Sequence, residues 1–372
     1  MNTGPEMGHF VLLQKKMGKP LLPLACRKHA PCELILKKAW FALFGETTNP
    51  AVPMFGKLKS EWDKLPTGCE NNARMARLPL EDMSFIEWEM VVDIGTFLKK
   101  LLASPTFLKA YGRADYKEFI DLTLFMTHSS QSITMNRPAA DHHARFMSKQ
   151  IYADKLVALN PLREKKNQLS EKVVKKLVRY SKFTCLVFAK YYLQVSLIKD
   201  AAFNDREFYN SLMVYKSIDP LLGFVALQTL RDHSWYLSEP NIGIALFSDK
   251  VTNEEKSKMA TKIKELDFSV PIPLEKPYLP RLLDSSFDQH VGIKTRTLFE
   301  NFDIDLEFLD KDPSEWTSDD KFNSAKEYVE NISCVNDFSE RNIKLMSDYN
   351  KVWTKDEDEK QNYRLLKMYV AK

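Results

Sequence analysis

The sequence predicts a mainly α-helical protein that contains one core strand. Three observations support this fold class. Apolar residues recur at helical intervals through most of the 372-residue chain. Glycine is scarce, at 11 residues, whereas parallel α/β proteins use glycine in the tight turns between their strands and helices. Residues 21–25 form a short apolar run that ends abruptly in polar residues, as a buried strand does.

The boundaries of the first two helices are well marked. Thr3 and Glu6 have the spacing of a capping box, in which two polar side chains satisfy the first backbone donors of a helix. Gly18 ends the helix that they open, and the strand follows. A second helix is predicted over residues 32–44, and Gly45 closes it.

The rest of the chain is predicted as helices separated by loops. Residues 46–80, apart from a short helix near Glu61, and residues 131–138 are predicted as loops. The proline-rich residues 269–291 cannot form a regular helix. The second half of residues 169–201 is almost entirely apolar, which predicts a position in the middle of a helical bundle. Residues 169–201 are predicted as one long helix or two joined helices. The other helices are predicted over residues 81–102, 116–126, 142–159, 205–218, 220–237, 252–266, 295–309, 321–332, 336–352 and 354–372.

Two of these helices carry further local signals. Thr252 and Glu255 repeat the capping-box spacing at the start of a charged helix. In residues 81–102, apolar side chains recur at helical spacing, which is typical of the apolar side of a helix. These apolar residues are Phe85, Trp88, Val92, Ile94, Leu98, Leu101 and Leu102.

Composition and charge are those of an ordinary soluble globular protein. The net charge of +4 is compatible with nucleic acid as a partner but does not argue for it, because acids and bases alternate in most segments. Five scattered cysteines, without a signal peptide, predict reduced thiols in a nuclear or cytoplasmic protein. The longest apolar run, residues 183–198, is shorter than the roughly 20 residues that span a bilayer, so no membrane partner is predicted.

A single strand is a physical problem, because its backbone donors and acceptors need neighbouring strands. Two explanations stay open: an unrecognised hairpin supplies these partners, or the chain is a piece of something larger. Just after the strand, Cys26 and His29 have a spacing that is also used for half of a zinc site. Packing at the end of the strand is the simplest interpretation of these two residues, and a position close to bound nucleic acid is the third.

Six short segments, in this order along the chain, together resemble the hAT-like transposases and their domesticated relatives. The resemblance is strongest to the transposase-derived proteins of invertebrate genomes. The matching segments are NTG at residues 2–4, LPLACRKH at 22–29, ADHHARFMSKQIYA at 140–153, HSWYLSEPNIGIALF at 233–247, KDPSEW at 311–316 and VNDFSERNIKLMSDY at 335–349.

This resemblance implies a ribonuclease-H-like core that is interrupted by a large helical insertion. In the family, three carboxylates bind two divalent metal ions, which promote phosphoryl transfer on DNA. The family's glutamate matches Glu340, followed by Arg341, and its Cys-x-x-His motif matches Cys26 and His29. Its Arg-Trp pair matches Arg145 and Phe146, in which phenylalanine replaces the base-stacking tryptophan.

The chain departs from the family because it begins downstream of both aspartates. We therefore expect a remnant of the core in residues 1–45, the helical insertion in residues 46–320 and C-terminal helices carrying the glutamate in residues 321–372. With two of three carboxylates missing, no cofactor is predicted. Glu340 is then vestigial, and Glu340 with Arg341 has the simpler interpretation of a solvated pair at a helix start.

The functional prediction is a transposase-derived chain that is catalytically inactive by itself and retains at most DNA binding. One alternative is a helical protein-interaction scaffold without nucleic-acid binding, and a homo-oligomer is compatible with either. The second alternative is a transposase or nuclease dependent on Mg²⁺ or Mn²⁺, if the missing carboxylates come from elsewhere, such as Asp154 or Asp337.

A basic run over residues 163–179 is the most direct candidate for contacts with DNA phosphates. Its cations recur at helical spacing, and binding through them would depend strongly on salt. The competing interpretation is a solvated helix face, which is what most charged runs on amphipathic helices are. The candidate residues are Lys172, Lys175, Lys176 and Arg179.

Overall fold

The computed structural model describes residues 9–22, 31–46, 52–104, 114–138, 147–194, 198–233, 239–274 and 285–332. The chain divides into two compact units, residues 1–331 and residues 332–372, and the second is described only at Ile332. The predicted domain boundaries at residues 45 and 320 stay predictions.

The described residues are mainly helical and contain no strand, which confirms the mainly α part of the predicted fold class. The helices are α1 (His9–Met17), α2 (Pro31–Phe44), α3 (Pro53–Glu61), α4 (Phe85–Leu102), α5 (Ala114–Thr127), α6 (Met147–Leu159), α7 (Glu171–Phe183), α8 (Ala189–Leu193), α9 (Ala201–Ile218), α10 (Pro220–His233), α11 (Glu239–Ile242), α12 (Asn253–Lys264), α13 (Arg296–Asn301) and α14 (Asp320–Glu330). Short 3₁₀ turns connect several of them.

The predicted core strand falls mostly outside the described residues. Leu21 and Leu22 are described and are irregular, whereas residues 23–25 are not described. The backbone N–H of Leu21 donates to Oε1 of Gln14 at 2.9 Å, so a side chain satisfies the donor that a neighbouring strand would have satisfied. The ribonuclease-H-like remnant therefore stays a prediction.

Both glycine helix ends are confirmed. Gly18 follows α1 with a φ of 61°, and Gly45 follows α2 with a φ of 85°, values at which a side chain would be strained. The predicted helix over residues 295–309 is shorter than expected, because α13 ends at Asn301. Asp303, two residues later, has a φ of 47°, which a continuing helix cannot accommodate.

The long apolar segment predicted for the middle of the bundle lies there. Helix α7 continues into a π-helical turn, Thr184–Phe188, and then into α8, which ends at Leu193. Every residue of the π turn is buried. Helices α4, α5 and α9 contact this turn, so it is a central packing element of the bundle. A π turn widens the helix by one residue and re-aims the side chains around it.

Aromatic rings join the helices around Trp40 of α2. The Trp40 ring centroid lies 5.3 Å from that of Phe55 on α3 and 5.2 Å from that of Tyr180 on α7. Phe55 stacks on Tyr152 of α6 at 4.6 Å. Helix α2 also packs against α10. Large buried rings of this kind contribute most of the apolar area that stabilises a helical core.

Buried polar side chains hold the irregular segments. Asn72 accepts a hydrogen bond from the backbone of Ile133 at 2.6 Å and donates to the Ile133 carbonyl at 2.8 Å. Arg77 donates to the carbonyls of His128, at 2.8 Å, and Gln131, at 2.7 Å, just past the end of α5. A cation at a helix C-terminus satisfies carbonyls that have no partner within the helix. These bonds give the predicted loop over residues 131–138 a defined structure.

The second capping box is confirmed in half. The Thr252 hydroxyl accepts from the backbone N–H of Glu255 at 3.2 Å, as predicted. The Glu255 carboxylate pairs instead with Arg206 of α9 at 2.5 Å, and the Arg206 guanidinium stacks on the Phe287 ring at 4.1 Å. Arg206, on another helix, thus pairs with the Glu255 side chain, which the capping-box motif assigns to the backbone at the helix start.

Candidate functional site

Six of the sequence-predicted site residues lie outside the part of the chain that the structure describes. Their assignments, which cover the core motif, the base-stacking pair and the vestigial glutamate, therefore stay predictions. These residues are Cys26, His29, Arg145, Phe146, Glu340 and Arg341.

The remaining four predicted site residues share one face of α7. Their spacing of three, four and seven residues places side chains on the same side of a helix. Lys172, Lys175 and Arg179 are exposed, and Lys176 is half-buried. We call these four residues the basic stripe. The sequence therefore predicted correctly that these four cations share one face of a helix.

Lys176 is directed at the end of α2. Its Nζ donates to the carbonyl of Leu43 at 2.5 Å and lies 5.6 Å from the centre of the Phe44 ring. The last carbonyls of a helix carry partial negative charge and have no partner inside the helix, so they attract a cation. Lys176 therefore acts as a cap for α2.

Arg179 is directed at the start of α10. It donates two hydrogen bonds to the carboxylate of Asp219, both at 2.9 Å. The same carboxylate accepts from the backbone N–H of Leu222 at 3.1 Å and so caps the first turn of α10. The hydrogen bond with Asp219 raises the pKa of Arg179. A bidentate pair of this kind fixes the orientation of both side chains.

The row of cations continues along the same helical segment toward α4. Lys182 donates to the Glu87 carboxylate at 2.8 Å, and Lys190 donates to Asp93 at 2.6 Å. Glu87 also completes a capping box with Ser84 at the start of α4. Burial alone would raise the pKa of Glu87, but its hydrogen bonds from Lys182 and Ser84 lower it overall. The cations of α7 and α8 therefore contact the end of α2, the start of α10, and the start and middle of α4.

Little of the basic stripe is left for an external anion. Lys175 forms an exposed ion pair with Glu171 at 2.6 Å, one turn earlier on the helix. Lys172 is exposed and makes no ion pair with any residue that the structure describes. Contacts with DNA through Lys176 or Arg179 would replace bonds that hold helix ends together. Two of the four cations of the stripe, Lys176 and Arg179, are therefore internal structural features.

A different surface on α4 is exposed and apolar. The residues Phe85, Trp88 and Val92 have relative exposures of 77%, 43% and 62%. At 100° per residue, the three positions fall within an arc of about 60°. We call these three residues the α4 stripe. Exposed aromatic residues grouped on one helix are unusual on a monomer and mark interaction surfaces.

The sequence pattern contained a signal for the α4 stripe that the sequence prediction did not use. The apolar residues of this helix form two sets. One set is the exposed α4 stripe, and the other consists of Val91, Ile94 and Leu98, which the structure buries. On a helical wheel the buried set is centred about 120° away from the α4 stripe. A single neighbouring helix cannot cover two sets that lie so far apart on the wheel. In the part of the chain that the structure describes, the α4 stripe is the set that remains exposed.

Acidic residues border the α4 stripe. Residues 81–98 include five acids and no lysine, arginine or histidine. Glu87 and Asp93 are paired with Lys182 and Lys190, as described above. The three others are exposed and form no ion pair with described residues; they are Glu81, Asp82 and Glu89.

Asp154, one of the carboxylates considered for a metal site, is sealed inside the bundle. Its side chain, on α6, faces the π turn, where the Cys185 thiol donates to it at 3.8 Å. The residue is 1% exposed, and burial raises its pKa to about 7. Within the described ranges, no cluster of three or more His, Cys, Asp or Glu side chains is arranged to hold a metal ion. Asp337, the other carboxylate considered, lies outside those ranges.

Comparisons with protein-family models, with curated proteins and with solved structures find no match for this chain. Among the described residues, no helix combines the length and the apolar character that crossing a membrane requires.

Proposed function

We propose that this chain is a helical protein-interaction scaffold and that the α4 stripe is its contact surface. The observation that carries the proposal is the exposure of Phe85, Trp88 and Val92 together on one helix. Burying a side chain of this size against a partner contributes roughly 1.5–3 kcal/mol. Aromatic residues are also the commonest energetic anchors of protein–protein interfaces.

The attachment of α4 to the bundle supports this proposal. Lys182 and Lys190 bond to its acidic side chains, and Ser84 caps its first turn. A helix held at these points presents its exposed side chains in a fixed arrangement, which reduces the entropy lost on binding. In the basic stripe, in contrast, Lys176 and Arg179 bond to other helices of the fold.

Site-specific photo-cross-linking tests the proposal. We expect p-benzoylphenylalanine at position 85 to capture defined proteins in cells that express the full chain. The same group at Leu13, an exposed apolar position on α1, is the matched control and should capture none of them. Adding Val92→Ser should remove the products from position 85, because the partner loses a second anchor. Equal products from both positions would contradict the proposal.

The second candidate is nucleic-acid binding by a transposase-derived chain. The specific observation in its favour is a set of exposed lysines without ion pairs to described residues. They include Lys172 at the start of α7, Lys165 in the preceding turn and Lys57 on α3. Such side chains are able to neutralise phosphates without breaking an internal bond.

Salt dependence separates the two candidates. If Lys172 and Lys175 each neutralise one phosphate, affinity for a DNA hairpin should fall about tenfold between 50 and 200 mM salt. Lys172→Ala/Lys175→Ala should then remove this slope. Lys258→Ala is the matched control, because Lys258 forms a similar exposed pair with Glu254. Binding that is absent, or that does not respond to salt, would eliminate the second candidate and leave the scaffold.

A further inference from the structure

We infer that the α4 stripe binds a cationic amphipathic helix of another protein, a partner whose apolar face is flanked by lysine or arginine. This inference rests on the proposed function and adds the chemistry of the partner. It follows from the arrangement of the apolar side chains and from the charge of the residues around them.

The apolar side chains are spaced for a helical partner. Phe85 and Val92 are seven residues apart, so they lie about 10.5 Å apart along the helix axis, with Trp88 between them. Two turns of apolar side chains on one helix form a ridge that fits between the side chains of a second helix. The short length of the ridge implies a small interface centred on a few aromatic contacts.

The charge around the stripe selects the sign of the partner. Glu81, Asp82 and Glu89 are exposed acids without ion pairs to described residues, whereas the cations of α4 itself, Lys99 and Lys100, lie in its last turn, seven or more residues beyond the α4 stripe. An approaching lysine or arginine gains attraction at the rim of the interface, whereas an acidic partner is repelled. The same acids disfavour contact with DNA phosphates or with an anionic lipid surface.

A second copy of this chain fits less well than a cationic partner. An antiparallel two-fold contact centred on the α4 stripe would place Glu89 of one copy against Glu89 of the other, because such interfaces use the same patch twice. The heterologous, basic partner avoids this repulsion. Self-association is therefore a distinct outcome that the experiment must detect.

Binding of designed peptides to the full chain tests the inference. The first probe is an 18-residue helical peptide with a leucine face flanked by lysines. The second has the same leucine face flanked by glutamates, and the third has the composition of the first in a scrambled order. In fluorescence anisotropy at 100 mM salt, we expect the lysine peptide to bind at least tenfold more tightly than either of the others.

Variants of the chain connect this binding to the α4 stripe. Phe85→Ser should weaken the lysine peptide at least tenfold, and Glu89→Lys should weaken it severalfold while improving the glutamate peptide. The matched controls are Leu13→Ser and Glu327→Lys, an exposed apolar residue and an exposed acid on other helices, which should leave binding unchanged. Since all four positions are exposed, circular dichroism should show unaltered thermal unfolding.

Three results would overturn the inference. The first is equal binding of the lysine and glutamate peptides, and the second is binding that Phe85→Ser leaves intact. The third is concentration-dependent self-association, seen by sedimentation and abolished by Phe85→Ser, which would identify a second copy as the occupant. If position 85 still cross-links to other proteins while the lysine peptide fails, the proposed function stands and only the partner's chemistry is wrong. If neither occurs, both fail.

Discussion

Replacing Asp154 with asparagine should remove a large part of the pH dependence of folding stability. At pH 8 we expect the Asp154→Asn protein to be more stable than the wild type by about 4 kcal/mol, and at pH 4 we expect the two to be similar. The reason is that burial raises the pKa of this carboxyl from 3.8 to about 7. Each pKa unit corresponds to about 1.4 kcal/mol.

The sign follows from which state holds the proton. Below pH 3.8 the Asp154 carboxyl is protonated in both the folded and the unfolded chain, and folding carries no penalty. Between pH 4 and pH 7 the unfolded chain ionises while the folded chain keeps its proton, so the free energy of unfolding of the wild type falls with rising pH. Above pH 7 both states are ionised, and the penalty stays constant. Asparagine is neutral throughout and carries no such penalty.

Urea unfolding at pH 4.5, 6, 7 and 8 measures this difference. Asp232→Asn, at an exposed position on α10, is the control and should follow the wild-type curve. The neighbours of Asp154 are polar but uncharged at these pH values: Gln150, Ser181 and Cys185. Wild-type and Asp154→Asn curves that run parallel from pH 4.5 to pH 8 would show that the carboxyl is not desolvated as the structure indicates.

Removing the charge of Lys155 should destabilise the fold by about 3–5 kcal/mol. This lysine on α6 is fully buried and pairs with Glu118 of α5 at 2.6 Å. Burial lowers its pKa despite the attraction of Glu118. In Lys155→Met the Glu118 carboxylate stays buried without its counter-ion. An unpaired buried charge is what makes the loss of one partner so destabilising.

The double variant Lys155→Met/Glu118→Leu should recover part of this loss. It removes both charges, but the backbone of Asn136 then loses two partners. Its carbonyl accepts from Lys155 at 2.7 Å, and its N–H donates to Glu118 at 3.2 Å. Asn136 is exposed, so water replaces part of what is lost. Each of these hydrogen bonds contributes about 0.5–1.5 kcal/mol, so the double variant should remain less stable than the wild type.

An exposed pair on α5, the helix of Glu118, provides the control for Lys155. Lys117 and Asp121 of α5 lie 2.7 Å apart in the i, i+4 arrangement, with Lys117 largely in solvent. Lys117→Met should change the free energy of unfolding by less than about 0.5 kcal/mol. All variants are measured by urea unfolding at pH 7. A Lys155→Met protein as stable as Lys117→Met would mean that the Lys155–Glu118 pair is solvated in solution.

Features that depend on neighbouring residues were predictable from the sequence. The helix ends at Gly18 and Gly45 were correct, because a left-handed backbone at these positions favours glycine in any context. The Thr252 cap was also correct, since it involves a bond to a backbone group three residues away. The segment that ends at Leu193 was placed correctly in the middle of the bundle, because a helix that is apolar on all sides has to be buried.

Features that depend on distant residues were not predictable in this way. The cations of the basic stripe were placed on one face, but their partners Leu43 and Asp219 are 133 and 40 residues away along the chain. The apolar residues of α4 were recognised, but the pattern could not say which set a neighbouring helix would cover. The predicted transposase residues around Arg145 and Glu340 lie outside the described ranges and stay predictions.

The sequence by itself determined that this protein is mainly helical, where most of its helices begin or end, and which segment lies at the centre of the bundle. The tertiary structure decided that Lys176 and Arg179 serve the ends of other helices and that Phe85, Trp88 and Val92 face solvent. The physical reason is the distance along the chain over which each interaction acts. Capping and periodicity act over a few residues, whereas burial and ion pairing depend on which helix the fold brings alongside.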